Sequence, residues 1–269
     1  MPVTDSSIHS KSNINMYKID YINNKKILTS NLITSAGAFF TTRESVVTPN
    51  VMKEITQKCE ENLKDIALFL RIDVTDIISP IQTHSSNISV AEKGKTYENT
   101  DALITDCPDI ALLLNFADCT PVILYDEKRN IGAIAHAGWR GTAASIVPKT
   151  IKFMKNNFNS SPCDMKALIG PSISLKNYQV GEEVYRKVSK TMEKKYNDYF
   201  FFDTNTEKYN LDLKTVNFHQ LVEAGLDKKR IDKCNYCTYD SNDIFFSYRK
   251  ENGYTARHSA ILKLDNTKN

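Results

Sequence analysis

The sequence predicts an α+β fold, a single domain built on mixed β-sheets with helices set between the strands. Three observations predict it. Short β-rich runs dominate the middle and the end of the chain, and stretches with helical periodicity separate them. No strand candidate runs into a G-x-G-x-x-G turn, which argues against a doubly wound nucleotide fold. No internal repeat and no Gly/Ser-rich or Pro-rich linker divides the 269 residues, a length that suits one large domain or two small ones.

Residues 1–15 are rich in Ser and Asn and read as a frayed tail, leaving 16–269 as the domain. The clearest helix is TPNVMKEITQKCEENLKDIALFL. Thr48 can cap it and Pro49 suits its first turn. Met52, Ile55, Cys59, Leu63, Ile66 and Leu70 then recur on one face. Strands are predicted at SPIQTH, NISVAE, DALIT, IALLLNF, PVILYD and IGAIAHA. A second helix follows Gly141, with Ile146, Val147, Thr150, Ile151, Met154 and Phe158 inward. Pro148 is tolerable there only near the first turns. MKALIG is a strand, GEEVYRKVSKTMEKKY and LDLKTVNFHQLVEAGL are helices, and IFFSYRK and SAILKL close the chain as strands.

Charge and cysteine content narrow the function classes. Thirty-five basic and 32 acidic residues give a net charge of +3. They are interspersed, so neither a nucleic-acid groove nor an anionic membrane surface is expected as partner. No run approaches the roughly 18 apolar residues of a membrane span. The N-terminus MPVTDSSIHSKSNIN lacks the apolar core of a signal peptide. A cytoplasmic location follows, and there the six cysteines are expected as thiols or ligands rather than disulfides.

One hairpin stands out. PVILYDEKRNIGAIAHAG reads as two antiparallel strands joined by a four-residue loop. Pairing Asp126 with Ile131 sets Thr120 opposite Ala137 and Cys119 opposite Gly138. His136 then lies on the same face as Cys119, a diagonal neighbour roughly 7–8 Å away between backbones. A one-residue slip would separate them. His84 in SPIQTH is a third candidate, sharing a strand face with Gln82. Two His and one Cys make a zinc set with a fourth position left for water or substrate. Asp118 precedes the cysteine where a core would want an apolar group, and Gly138 permits close approach. Arg140 follows Trp139, the single tryptophan, at a strand-to-helix junction suited to phosphate or a carboxylate. The blander readings are that a buried Cys acts as a small hydrophobe and that a strand His is satisfied by one hydrogen bond.

Taken in order, QTHSSNI, DALITD, FADCTPVILYD, GAIAHAGWRGT, IGPSISLKNYQVGEEV and CTYDSNDIFFSYRKENGYTARHSAILKL resemble the multicopper polyphenol oxidase (laccase-domain) family, over roughly residues 30–265. Its members are described as purine nucleoside phosphorylases that also deaminate adenosine. The resemblance implies an α/β/β/α arrangement of mixed sheets. It implies that His84, Cys119 and His136 are metal ligands, for zinc or copper, and that Arg140 holds phosphate or the ribose side. It places Arg43 of FFTTRES in the same pocket, with Arg249 and Arg257 in the closing SYR and T-x-R positions. The sequence departs from the pattern in four places. ESVVTP replaces the Gly-Gly-Val-Ser that usually follows TR, Gln179 a Glu, Asp240 a Cys, and Ala256 a Gly.

The expected activity is therefore that of a metal-dependent purine nucleoside phosphorylase and adenosine deaminase acting on small purine nucleosides and phosphate. Asp118 serves as proton shuttle or as support for a histidine ligand. Trp139 is a candidate for stacking on the purine, and Arg43 and Gln82 for lining its site. The alternative is a cysteine hydrolase or amidase, with Cys119 as nucleophile and His136 as base, acting on cell-wall precursors. Oxidation of phenols through a multicopper cluster is disfavoured, because five histidines are too few. A non-enzymatic ligand sensor is a fourth class. Exposed β-edges suit a homodimer. Outside the hairpin, the Cys234–Cys237 CxxC is a weak zinc sign without a second pair. His219 reads as a surface or capping residue, and His258 as near the pocket mouth. His9 belongs to the tail, and Cys107 and Cys163 have no visible partner.

Overall fold

The computed structural model describes residues 16–48 and 56–266. In chain order the elements are β1 (Tyr17–Ile22), β2 (Lys25–Ser30), β3 (Ala36–Thr41), α1 (Thr56–Leu70), β4 (Ile77–Ile78), β5 (Ile88–Val90), β6 (Ala102–Thr105), β7 (Ala111–Phe116), β8 (Thr120–Asp126) and β9 (Ile131–Ala137). There follow α2 (Trp139–Ala143), α3 (Ile146–Phe158), β10 (Met165–Ile169), β11 (Gln179–Val180), α4 (Glu182–Ser189), β12 (Phe200–Asp203), β13 (Lys208–Leu211), α5 (Leu213–Glu223), β14 (Ile231–Lys233) and β15 (His258–Leu264). Two six-stranded mixed sheets form, ordered β1-β2-β3-β15-β7-β4 and β14-β10-β8-β9-β6-β5, beside a small sheet β11-β13-β12.

The period of two along each strand builds the layers. In β7, Leu112, Leu114 and Phe116 enter a core shared with Ile123 and Tyr125 of β8 and Ile134 of β9, so the large sheets pack face to face. Ala111 and Leu113 point the other way, onto Ile66 and Leu70 of α1. On the second sheet Val122, Leu124, Ala133 and Ala135 turn outward to Ile146, Ile151 and Met154 of α3 and to Leu221 of α5. The order of layers is helix, sheet, sheet, helix, the α/β/β/α arrangement. Strands β8 and β9 are buried along their whole length, which is why they read as continuous apolar runs. Truncating a leucine in these layers to alanine costs about 2–5 kcal/mol.

Several expectations meet corrections with physical causes. SPIQTH is not a strand. The side-chain amide of Gln82 bonds the backbone of Asn115 in both directions, standing in for a ladder, so Gln82 and His84 do not share a strand face. IFFSYRK forms turns rather than a strand, gathered around the Glu251 carboxylate. The helix after the second hairpin strand breaks at Ser145, whose φ is +56°, into α2 and α3. Pro148 then falls in the first turn of α3, where its missing N–H costs nothing. Among the described residues α1 begins at Thr56, and Thr48 stands in an isolated bridge. It bridges Arg257 and bonds Asn115, while Pro49, Met52 and Ile55 lie outside the described residues. Strands β1 and β2, joined through Asn23 and Asn24 at φ +47° and +61°, escaped the sequence reading. A two-residue turn with both positions left-handed was its available signal.

Candidate metal centre and its cavity

The hairpin register is the predicted one. Asp126 pairs with Ile131 and Thr120 with Ala137. Cys119 sits just before β8 and His136 near the end of β9, on the face that looks into the space between the sheets, where Phe116 meets the His136 ring edge-on at 5.2 Å. Gly138 makes room for them. A Cβ there would lie 2.8 Å from Cys119 Sγ and 3.3 Å from His84 Cδ2, so any side chain would push the sulfur away. His84 arrives from the coil before β5 with φ +61°. One ligand atom from each of His84, Cys119 and His136 lies within 4.8 Å of the others, and the two imidazoles are 4.9 Å apart between centroids.

Asp101, at the start of β6, was missed by sequence reasoning. Its Oδ1 lies 2.7 Å from His136 Nδ1. The other ring nitrogen of His136 is left for the sulfur side. The motif DALITD marked a strand, and nothing local in it shows that the aspartate meets a histidine 35 residues later.

Electrostatics shape the trio. Burial opposes ionisation of Cys119, but the His136 charge and hydrogen bonds from both histidines overcome it and hold the thiol well below its ordinary pKa. Burial likewise opposes a proton on His136. The charges of Cys119 and Asp101 and their hydrogen bonds outweigh it and raise that pKa. Burial of Asp101 is outweighed by hydrogen bonds from His136 and Ser85, bringing its carboxyl down to about 2. The sulfur is thus disposed to be a thiolate, the form that ligates metals. Two imidazoles and a thiolate around one point, with a carboxylate behind one imidazole, are a donor set that fits a zinc-like ion.

The trio opens into a cavity of about 680 Å³, lined also by Gln82, Asn115, Asp118, Trp139, Arg140, Tyr178, Tyr248, Arg249 and Arg257. Arg140 is exposed to it. Its guanidinium lies 4.3 Å over the Trp139 ring and forms no hydrogen bond within the described residues. Helix α2, which starts beside it, has only five residues, so any anion site here rests on guanidinium groups rather than on a helix dipole. Trp139 packs on α4, with Lys187 5.8 Å from its ring. Arg249 lies 5.3 Å over Tyr178 and bonds the Gln179 carbonyl. The Tyr178 hydroxyl is pushed well above its ordinary pKa, first by burial and then by the Cys119 charge. Neither Tyr178 nor Tyr248 was singled out from sequence.

Other candidates are placed differently. Asp118, at φ +79°, accepts from Thr238 Oγ1 at 2.6 Å and from the Arg249 backbone N at 2.7 Å. Its carboxylate is spent on neighbouring loops, not on either histidine. Arg43 is outside the cavity lining. Its guanidinium bonds Glu251 at 2.5 Å and the carbonyls of Asn242 and Phe245. His258 is fully buried against Phe116 and Phe245 rather than at the mouth. His219 is buried on α5 and bonds Asp198 at 2.8 Å. Cys237 accepts from Ser174 N and Asn177 Nδ2. Among the described residues His84, Cys119 and His136 are the one cluster of three or more such ligands, so the CxxC gathers no third donor.

Comparison with known proteins identifies the family and the fold. The family model described as multi-copper polyphenol oxidoreductase laccase matches residues 37–265. A purine nucleoside phosphorylase of Bacteroides thetaiotaomicron is 36% identical over 193 residues, covering 65% of this chain and 68% of that protein. The adenosine deaminase RL5 of an unknown prokaryotic organism is 32% identical over 195 residues, covering 69% and 74%. The crystal structure of Bacillus licheniformis hypothetical protein YfiH superposes with a TM-score of 0.84 at 30% identity, covering 93% of this chain and all of that one. With a matching family model across most of its length and a relative at this identity, the chain belongs to the multi-copper polyphenol oxidoreductase laccase family.

Proposed function

We propose that the protein is a metal-dependent purine nucleoside phosphorylase that also deaminates adenosine, with zinc, or copper in its place, held by His84, Cys119 and His136. One observation carries this reading: the three donor atoms converge on the same cavity in which Arg140 offers a guanidinium with no protein acceptor among the described residues. The named activities of the relatives from Bacteroides thetaiotaomicron and the unknown prokaryote support it. An ion bound by the trio would supply Lewis acidity near neutral pH.

The chain's own groups would do the rest. Arg140 holds phosphate, with Arg249 on the Tyr178 side of the cavity. A phosphate oxygen bonds to the sugar C1′, the bond from C1′ to the base breaks, and the base leaves with a proton. Orientation and fixed charge supply most of the rate. The proton on the base comes from solvent, while Tyr178 Oη, kept protonated by its surroundings and lining the cavity, donates a hydrogen bond to the bound substrate without giving up its own proton. In deamination water adds at C6 and ammonia leaves. Asp118 holds the turn that presents Cys119, because both its oxygens are occupied. No helix among the described residues is long and apolar enough to cross a membrane, and we place the reaction in the cytoplasm.

The test is incubation with adenosine and phosphate, with products separated. Adenine reports phosphorolysis and inosine reports deamination. Neither product from metal-replete protein sinks the proposal. A specific observation favours a second reading: Asp101, His136 and Cys119 stand in the order of a Cys-His-Asp triad, which suits a cysteine hydrolase or amidase. Chelation separates the two, since it abolishes only the metal-dependent activity.

A further inference from the structure

Asp101 does more than back one imidazole. Its side chain is fully buried and accepts from five donors. Oδ1 takes His136 Nδ1 at 2.7 Å and the backbone N of His84 at 3.1 Å. Oδ2 takes Thr83 N at 3.2 Å, Ser85 N at 2.6 Å and Ser85 Oγ at 2.7 Å. Its main-chain carbonyl holds the His136 backbone N at 2.7 Å. The two histidine ligands differ in what else restrains them. His136 is buried in a paired strand. His84 is exposed, lies in no strand or helix, and has a left-handed φ of +61°, a conformation costly for a residue with a Cβ. The three consecutive N–H groups of Thr83, His84 and Ser85 all converge on this one carboxylate, and that convergence offsets the cost.

We infer that Asp101 is the positioning residue that assembles the metal centre, joining a strand-held ligand and a loop-held ligand through one buried carboxylate. It keeps His84 in reach of Cys119 before any ion arrives and fixes which His136 nitrogen faces the sulfur. The inference rests on the metal-site half of the proposed function. Asp101→Asn is the diagnostic change. An amide is nearly isosteric, but whichever way it turns, its NH₂ meets backbone N–H donors at one of the two positions.

The measurement is titration of the metal-free protein with cobalt(II) or zinc alone, following the thiolate charge-transfer band for cobalt, beside the melting curve of the metal-free protein. Asp101→Asn should bind about 10- to 100-fold more weakly, the range for losing an outer-shell partner. Ser85→Ala, which removes one of the five donors, should bind a few-fold more weakly. A folded Asp101→Asn protein with parental affinity overturns the inference. If that variant does not fold, Ser85→Ala carries the test, and parental affinity there overturns it. Because the readout is metal affinity, a parent that binds metal tightly yet leaves nucleosides intact counts against the nucleoside reading alone.

Discussion

Two regions supply the cavity, and they are built on different principles. Cys119 directly precedes β8 and His136 lies in β9, and the seven-pair ladder between those strands sets their relation. His84, Tyr248, Arg249 and Arg257 come from segments without a ladder of their own or at its very edge. These are held by carboxylates: Asp101 under His84, Asp118 under the Arg249 backbone, and Glu251 under the 242–255 turns. In the first region one register error would undo everything. In the second each buried acceptor does its own share, and losing one should loosen one wall of the cavity rather than the fold.

The sharpest way to break that contrast is His136→Ala against His84→Ala. Removing His136 takes away the buried member of the proposed ligand trio and one of the five donors to the Asp101 carboxylate. Metal affinity should fall by more than the roughly 100-fold of an outer-shell change, and stability by about 1.5–3 kcal/mol, as for a lost hydrogen bond to a charged group. His84→Ala should lose comparable metal affinity with little change in melting temperature, since His84 is exposed. Equal destabilisation by the two would erase the distinction. Metal titration and thermal melting of both variants decide it.

The strand-held region carries its own weakness to acid. His258 opens β15 and packs on Phe116, which also touches His136. Burial, with the charges of Arg257 and Arg43 adding to it, pushes the His258 pKa down to about 3. The unfolded chain therefore binds more protons than the folded one from about pH 6.5 to 3, so stability falls as pH falls through that window. From full strength above pH 6.5, the loss by pH 5 is about 2 kcal/mol from this residue. His258→Phe should flatten the slope of unfolding free energy against pH there. An unchanged slope would mean that His258 is charged in the fold.

The smallest expected effect belongs to the loop-held wall. Glu251→Gln weakens the bond to Arg43 and the turn that presents Tyr248 and Arg249. Under the proposed activity, KM for the nucleoside should rise about tenfold with kcat nearly intact, the worth of one charge-assisted hydrogen bond of roughly 1.5 kcal/mol. An equal fall in kcat would place Glu251 in the chemistry instead.

The pairing of Cys119 with His136 was legible in the order of residues alone. Strand side chains alternate with period two, and a four-residue loop leaves one register that buries every apolar residue of both strands. Also legible there were the inward faces of α1 and α3, through their helical spacing, and the need for Gly138 beside the thiol. Tertiary structure alone decided that Asp101 would underlie both histidines, that Arg43 would turn to Glu251 rather than line the cavity, and that IFFSYRK would fold as turns. These are hydrogen bonds between groups up to 208 residues apart, often from a side chain to a backbone N–H. Periodicity reports which face of an element is apolar. It carries no trace of which distant carboxylate will accept a given backbone donor, because that choice exists only after the layers have packed.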